Sequence, residues 1–232
     1  ILENNGFEYS TVFDKDILNG LDGYDVLIMP SDSKGFIIGP KYHPDDPVLK
    51  MMMQWVGPQP EEYMSGIGPD GAKKIAEFVE KGGRLLALNQ ACDFAIEYLG
   101  LGVRNIVAGM PASRFNTHGS TLRAVADKAQ QVCYGMPDKT YVFHWNGPVF
   151  EIADDNDPGA VLNADKYHIA MSYADKNVLR SGLLTGEDII AGKGAVVTCE
   201  KGSGDVVLYG FNPQNRAQTT GTFKLLFNML YR

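Results

Sequence analysis

The stretch 84–93, which reads Arg-Leu-Leu-Ala-Leu-Asn-Gln-Ala-Cys-Asp, decides the fold. Its first part has the length and apolar character of a buried strand, and a helical pattern through Phe94, Ile96 and Leu99 follows at once. In open α/β sheets, the residue at such a strand-to-helix corner projects above the carboxyl end of the sheet. The sequence therefore predicts a functional corner at this place.

Asn89 is the residue expected at the tip of this corner. The turn is tight, so the residues two before and two after the tip must be small. Ala87 and Ala91 satisfy this requirement for Asn89, whereas Cys92 has large side chains at the corresponding positions. Cys92 is therefore interpreted as a buried thiol one helical turn further on. A hydrolase that uses Cys92, or a water held by Asn89 and Asn212, stays an alternative.

The elements around the corner predict an α/β fold. The apolar run 24–29 predicts a strand buried on both faces, and a helix is expected from Gly68 to the glycine pair at 82–83. Segments 194–199 and 205–211 predict a β-hairpin, and 222–231 a closing helix. Strands and helices that alternate in this way favour a doubly wound, mostly parallel sheet.

Residues 1–232 are expected to form a single domain, with a β-rich insertion or sheet extension at 103–188. Residues 1–9 resemble the last turn of a helix, so the domain is expected to be truncated at its N-terminus. The loop 31–66 is broken repeatedly by proline, which favours a functional or interaction surface.

Composition excludes several classes of function. The chain has 21 Lys and Arg against 28 Asp and Glu, a formal net charge of −7, which disfavours nucleic acid and anionic membranes as partners. Its three cysteines are widely separated, and no Cys-x-x-Cys motif occurs, so neither a disulfide framework nor a structural zinc site is expected. The apolar runs are too short for a membrane span, and no cofactor is expected in this chain.

A second junction, Gly-Phe-Asn-Pro-Gln at 210–214, completes a pattern. A buried strand with a corner, followed later by a Phe-His-Pro-Glu segment, is the layout of class I glutamine amidotransferases, which this sequence resembles. The resemblance places Asn89 where that family has cysteine, Asn212 where it has histidine and Gln214 where it has glutamate. Because amides neither take up a proton at neutral pH nor act as an acid, the resemblance implies a degenerate triad and no catalytic residue in this chain.

A narrower resemblance covers most of the chain. Seven segments look like the amidotransferase-like, flavodoxin-like domain at the carboxyl end of bacterial zinc carboxypeptidase-family proteins: 66–71, 78–88, 133–137, 147–151, 181–188, 210–218 and 221–228. This resemblance implies an accessory domain of a hydrolase, with zinc in an upstream peptidase domain that is also its partner. It also implies a periplasmic or extracellular location. A homo-oligomer is left open.

None of the four histidines begins the His-x-x-Glu motif of a carboxypeptidase zinc site, so no metal site is expected in this chain. The loose acidic group around His43, at 43–46, is interpreted as a solvated turn.

A polar cluster is expected at the carboxyl edge of the sheet, because polar residues follow the predicted strands. Its members are Ser31, Ser33, Asn89, Gln90, Asn212, Gln214, Asn215, Arg216 and Gln218. Amides with one guanidinium suit a neutral or anionic polar ligand. Contacts between domains or subunits, and a carbohydrate-binding module, are alternative functions.

Overall fold

The computed structural model describes residues 1–39, 51, 54–55, 57, 65–153 and 167–231. The helices of the described residues are α1 (Asp14–Asn19), α2 (Lys34–Ile38), α3 (Gly68–Glu80), α4 (Ala91–Tyr98), α5 (Glu187–Ile190) and α6 (Phe223–Phe227). The strands are β1 (Val26–Met29), β2 (Arg84–Leu88), β3 (Val103–Asn105), β4 (His118–Ala126), β5 (Lys139–Trp145), β6 (Phe150–Ile152), β7 (Tyr167–Tyr173), β8 (Leu179–Ser181), β9 (Gly194–Lys201) and β10 (Gly204–Tyr209).

The ten described strands form a single sheet with the main order β1-β2-β10-β9-β7-β4-β5. Beside this path, β3 pairs with β6, β6 with β9, and β8 with β4. The predicted α/β class is confirmed. The sequence predicts a mostly parallel sheet, but parallel pairing joins only β1 to β2 and β2 to β10 among the described strands. The other described pairings are antiparallel, because the hairpin and the β-rich segment enter the same sheet.

Strand β2 is buried over its whole length because both faces of the sheet are covered at this point. Leu85 and Ala87 belong to the core that lies under α1, α3 and α4. Leu86 and Leu88 belong to the second core, which the antiparallel strands and α6 enclose. Successive side chains of a strand point to opposite faces, so one short apolar run serves both cores. The corner after β2 therefore follows a strand that is buried on both faces.

Helix α3 begins where the sequence predicts, with Pro69 in its first turn and Asp70 near the positive end of the helix dipole. The predicted hairpin is also confirmed: β9 and β10 are antiparallel neighbours, with Gly204 opposite Lys201 across the turn. The segment 103–188 contributes β3 to β8, and its strands β7, β4 and β5 extend the sheet beyond β9. Its boundaries as an insertion stay a prediction.

Strand β1 differs from the expectation of burial on both faces. Leu27 and Met29 are buried, but Val26 and Ile28 are only half-buried. The reason is position: among the described strands, β1 pairs only with β2 and so lies at an edge of the sheet.

The closing helix is shorter than predicted. Helix α6 ends at Phe227, whereas the prediction extends to 231, and its buried side chains are Leu225 and Leu226. After Phe227 the chain continues in tighter turns, with the N–H of Met229 donating to Leu226 and that of Leu230 to Phe227. Arg84 donates to the carbonyl oxygens of Met229 and Tyr231 beyond the helix.

Within the described segments, no helix combines the length and the apolar character that a membrane crossing requires.

Candidate functional site

The turn after β2 holds Asn89 in a left-handed backbone conformation, with φ of 50°. Its N–H donates a 2.8 Å hydrogen bond to the carbonyl oxygen of Tyr209, and its own carbonyl accepts the N–H of Cys92 at 3.0 Å. Asparagine is one of the few non-glycine residues that adopt this conformation readily. The corner is therefore a tight turn with a carboxamide at its tip.

The Asn89 side chain is buried, with 6% of its surface exposed. Its Oδ1 has no hydrogen-bond partner among the described residues. Gly147 packs directly against it, since a Cβ on Gly147 would lie 2.8 Å from Asn89 Oδ1 and 2.1 Å from the carbonyl oxygen of Gly210. Only a residue without a side chain allows the backbone to close over the corner in this way.

Cys92 lies one helical turn beyond the corner and is completely buried. Its Sγ is 3.2 Å from the carbonyl oxygen of Ala87 and 3.3 Å from that of Tyr209, and either oxygen can accept the thiol proton. Burial, and to a lesser extent the neighbouring Asp93 carboxylate, raises the pKa of the Cys92 thiol well above its ordinary value. A thiol in this setting stays protonated, and the thiolate is the nucleophilic form.

A cleft of about 410 Å³ opens beside Gly147, above the corner. Two of the residues that the sequence predicts for the site, Ser33 and Gln90, line it. Its other polar or charged lining residues are Lys34, Asp93, Asn105 and Asn146, and its apolar lining includes Val107, Met110, Phe115 and Pro148. The sequence does not predict any of these other lining residues as part of a site. For Asn146 the sequence does carry a signal, since an asparagine followed by Gly147 is typical of a turn. Its φ of 42° agrees with this.

Hydrogen bonds to neighbouring side chains and backbone groups hold Asn105 and Ser33 in place in the cleft. Asn105 donates from Nδ2 to Asp93 Oδ1 at 2.9 Å, and its Oδ1 accepts the N–H groups of Val107 and Val149, each at 3.3 Å. Ser33 caps α2 by accepting the N–H of Phe36 at 3.3 Å. The site is therefore largely preformed.

The charged group at the rim is Lys34, which forms an ion pair with Glu97. The Glu97 carboxylate raises the pKa of Lys34, so the lysine keeps its positive charge. Lys34 and Asp93 thus give the cleft one positive and one negative group, beside the side-chain amides of its lining.

A buried hydrogen-bonded group supports the cleft from below. Thr117 Oγ1 lies 2.6 Å from Nδ1 of His144, and the N–H of Asn146 donates to the same Oγ1 at 3.1 Å. His144 is completely buried, and its Nε2 has no hydrogen-bond partner among the described residues. Burial lowers the pKa of His144 to about 4, against an opposing effect of the Pro148 carbonyl. His144 is therefore a neutral, structural histidine at neutral pH.

The structure does not bring the remaining predicted residues to the lining of this cleft. Ser31 is exposed after β1, and Asn212 and Gln214 are half-buried after β10. Gln214 Oε1 is buried and lacks a partner among the described residues. The last three residues of the predicted polar cluster lie on or just after the 3-10 turn Asn215–Ala217. Asn215 is half-buried, and Arg216 and Gln218 are exposed.

The described residues do not fit a zinc ion. No group of three or more His, Cys, Asp or Glu side chains within these segments could hold a metal. The group at 43–46 lies outside the described residues.

No model of a known protein family matches this sequence, and no characterised protein sequence matches it. The structure is similar to that of a putative GMP synthase subunit from Thermoplasma acidophilum, with a TM-score of 0.53 and 13% identity. That alignment covers 99% of this chain and 82% of the other.

The structure is also similar to two cytoplasmic proteins from Salmonella typhimurium. Their TM-scores are 0.52 and 0.51, their identities 14% and 12%, and the alignments cover 99% of this chain and 82% and 83% of the others. Identities this low establish the fold alone. The resemblance to a zinc carboxypeptidase parent rests on the sequence. The chain thus has a glutamine amidotransferase-like α/β fold, as its sequence predicts.

Proposed function

We propose that this chain is a non-catalytic amidotransferase-like domain that binds a small polar molecule in the cleft beside Asn89. The observation that carries the proposal is the carboxamide at the tip of the left-handed corner. In a catalytic domain of this type the tip holds a nucleophile, and a carboxamide cannot attack a carbonyl or exchange a proton at neutral pH.

The other groups near the corner support the absence of covalent catalysis. Cys92 is buried and protonated, and points to backbone carbonyls. Ser33, a hydroxyl of the cleft, is used as a helix cap, and no histidine is among the described residues that line the cleft. Nucleophilic catalysis by serine or cysteine needs a base within hydrogen-bond reach. A hydrolase that depends on Cys92 therefore has little support.

The cleft suits a neutral or singly charged polar ligand. Its volume of about 410 Å³ is that of a small-molecule site, and it combines amide, hydroxyl, ammonium and carboxylate groups with the apolar surfaces of Met110 and Phe115. Groups of both charges fit a ligand that itself carries donors and acceptors, such as an amino acid or a short peptide end.

L-Glutamine and L-glutamate are suitable first probes. Their binding is measured by nuclear magnetic resonance of the isotope-labelled protein. We expect resonances of residues around Gln90 and Asn105 to shift, with no release of ammonia from glutamine. Gln90→Ala should weaken the shifts, and Gln218→Ala, an exposed amide outside the cleft, should leave them unchanged. Ammonia release that depends on Cys92 would establish an enzyme and overturn the proposal.

We further propose that the domain is an accessory part of a secreted zinc carboxypeptidase-type protein and contacts its peptidase domain. The support is the set of seven sequence segments between 66 and 228 that resemble this class. The coding sequence upstream of Ile1 tests the idea directly. A His-x-x-Glu motif with a later histidine there is the expected result, and an upstream domain of another class would reject it.

A further inference from the structure

A second concavity, of about 580 Å³, lies on the outer face of β4 and β5. The residues that give it its chemical character are Arg123, Lys139, Tyr141, Lys176 and Glu187. It shares no lining residue with the cleft beside Asn89. We call it the outer groove.

The outer groove is positively charged on a protein that is negatively charged overall. It contains three cationic side chains and one carboxylate, whereas the whole chain has a formal charge of −7. Within the described part of the chain, neither Lys139 nor Lys176 lies within 4.0 Å of a carboxylate. The groove therefore favours a negatively charged ligand.

Arg123 is the fixed cation of the outer groove. Its Nη1 donates to the carbonyl oxygens of Asn177 at 2.5 Å and of Leu179 at 2.6 Å. These two bonds hold the guanidinium in one place without neutralising its charge, since carbonyl groups carry no net charge. An anion that binds here meets a cation that loses little conformational freedom.

An exposed aromatic row continues from the groove along β5. Tyr141 and Trp145 are 53% and 51% exposed, and Phe143 lies between them on the same face of the strand. The rings of Phe143 and Trp145 cover Gly119, where a Cβ would lie 3.3 Å from Trp145 Cε3 and 3.6 Å from Phe143 Cζ. Both rings thus contact the backbone of β4 at Gly119, and their planes are tilted by 54° to each other. From Tyr141 to Trp145 the row is about 14 Å long at the rise of an antiparallel strand.

We propose that the outer groove and the aromatic row bind an acidic oligosaccharide. Its carboxylates pair with Arg123, Lys139 and Lys176, and its sugar rings stack on Tyr141 and Trp145. The C–H face of a sugar ring is apolar and weakly positive, so it complements the negative face of an aromatic ring. The length of the row fits several linked sugars better than a single small anion.

A single-stranded nucleic acid also combines charge with rings, but the observations favour the sugar acid. A nucleic acid needs positive charge along the whole path of its backbone, whereas Arg123, Lys139 and Lys176 line the groove at the Tyr141 end of the aromatic row. The experiment below separates the two.

Isothermal titration calorimetry with hexagalacturonate tests the proposal on the intact chain. Maltohexaose, which is neutral, and hexathymidylate are titrated under the same low-salt conditions. We expect binding of hexagalacturonate that weakens with added salt, and at most weak binding of the other two. The double substitution Lys139→Gln and Lys176→Gln should weaken binding by about fivefold or more, since two exposed ion pairs are lost. Lys15→Gln, an exposed lysine of α1, is the matched control and should change nothing.

Tyr141→Ala tests the stacking separately from the charge, and should also weaken binding while the circular dichroism spectrum stays that of the native chain. No binding of hexagalacturonate at millimolar concentration overturns the proposal. Equal binding by the double lysine variant and by Lys15→Gln overturns it as well. Tighter binding of hexathymidylate than of hexagalacturonate assigns the surface to nucleic acid and rejects the sugar acid. None of these outcomes depends on a ligand in the cleft beside Asn89.

Discussion

The backbone N–H of Asn89 donates a 2.8 Å hydrogen bond to the carbonyl oxygen of Tyr209. This bond joins the corner after β2 to the last residue of β10, its parallel neighbour. The sheet therefore helps to hold the corner in its left-handed conformation.

Substitution of Asn89 should reveal this backbone requirement. The free energy of unfolding of Asn89→Gly is expected to lie within about 1 kcal/mol of that of the native chain, because glycine adopts a φ of 50° without strain. Asn89→Val should lose about 2 kcal/mol or more, because a branched side chain is disfavoured there. Urea unfolding measures both. Asn19→Val, at an exposed helix position, is the control. Equal stability of the Gly and Val variants would contradict the strained turn.

The thiol of Cys92 should be inert in the folded chain. Its burial and raised pKa predict that iodoacetamide labels it about 100-fold more slowly, or slower still, than it labels the urea-unfolded chain. Mass spectrometry of digested samples distinguishes Cys92 from Cys133 and Cys199, which are also buried. Ser10→Cys supplies an exposed thiol as the control. Rapid labelling of native Cys92 at pH 6 would instead indicate a nucleophile.

The corner could be predicted from sequence because its determinants are local. A buried strand, a helix start and two small residues around Asn89 all lie within 84–98, so periodicity and residue size are sufficient. The hairpin β9–β10 could be predicted for the same reason, since its two strands are joined by a short turn.

The other side of the cleft could not be predicted, because distant segments build it. Asn105 ends a strand of only three residues, and its partner β6 is remote in the chain. Strand β7 lacks an alternating pattern because its pairing with β9 shifts register between Ile169 and Met171 and again at Ser172. Irregularities of this kind leave no periodic signal. Asn146 and Phe115, which also line the cleft, lie in irregular segments just after β5 and just before β4.

His144 should make the stability of the chain depend on pH. Its pKa is about 4 in the folded state and about 6.5 in the unfolded state, so the unfolded chain binds the proton more tightly. The stabilising contribution is therefore complete above pH 6.5 and is lost as the pH falls to about 4, by roughly 3 kcal/mol in total. The groups that face the ring, Thr117, Phe115 and Tyr173, supply no negative charge to offset this loss.

Urea unfolding between pH 4 and pH 7.5 measures this dependence. His144→Gln should be less stable at neutral pH but should lose much of the slope below pH 6.5. His168→Gln, at an exposed position, should keep the native slope. If the slopes of the native chain and His144→Gln coincide, His144 does not remain neutral in the folded state.

Arg84 should be the strongest single attachment of the C-terminal segment to the sheet. Its side chain is 9% exposed, and donates to Asp205 Oδ2 through Nε at 3.1 Å and Nη2 at 2.8 Å. It also donates to the carbonyl oxygens of Met229 and Tyr231. Arg84→Met removes all of these bonds and takes the donor from the buried carbonyl of Met229, so a loss of about 2 kcal/mol is expected.

The matched control is Arg104→Met, which removes a 3.3 Å ion pair to Glu151 in a half-exposed setting and should cost less than about 1 kcal/mol. Hydrogen exchange should also accelerate at residues 226–231 in Arg84→Met, because their carbonyls lose the guanidinium that holds them. Asp205→Asn should fall between the two arginine variants, since it leaves the bonds to Met229 and Tyr231 intact. Equal losses for Arg84→Met and Arg104→Met would show that Arg84 is dispensable, and that packing and the hydrogen bonds of Gln131 and Asn228 hold the C-terminal segment.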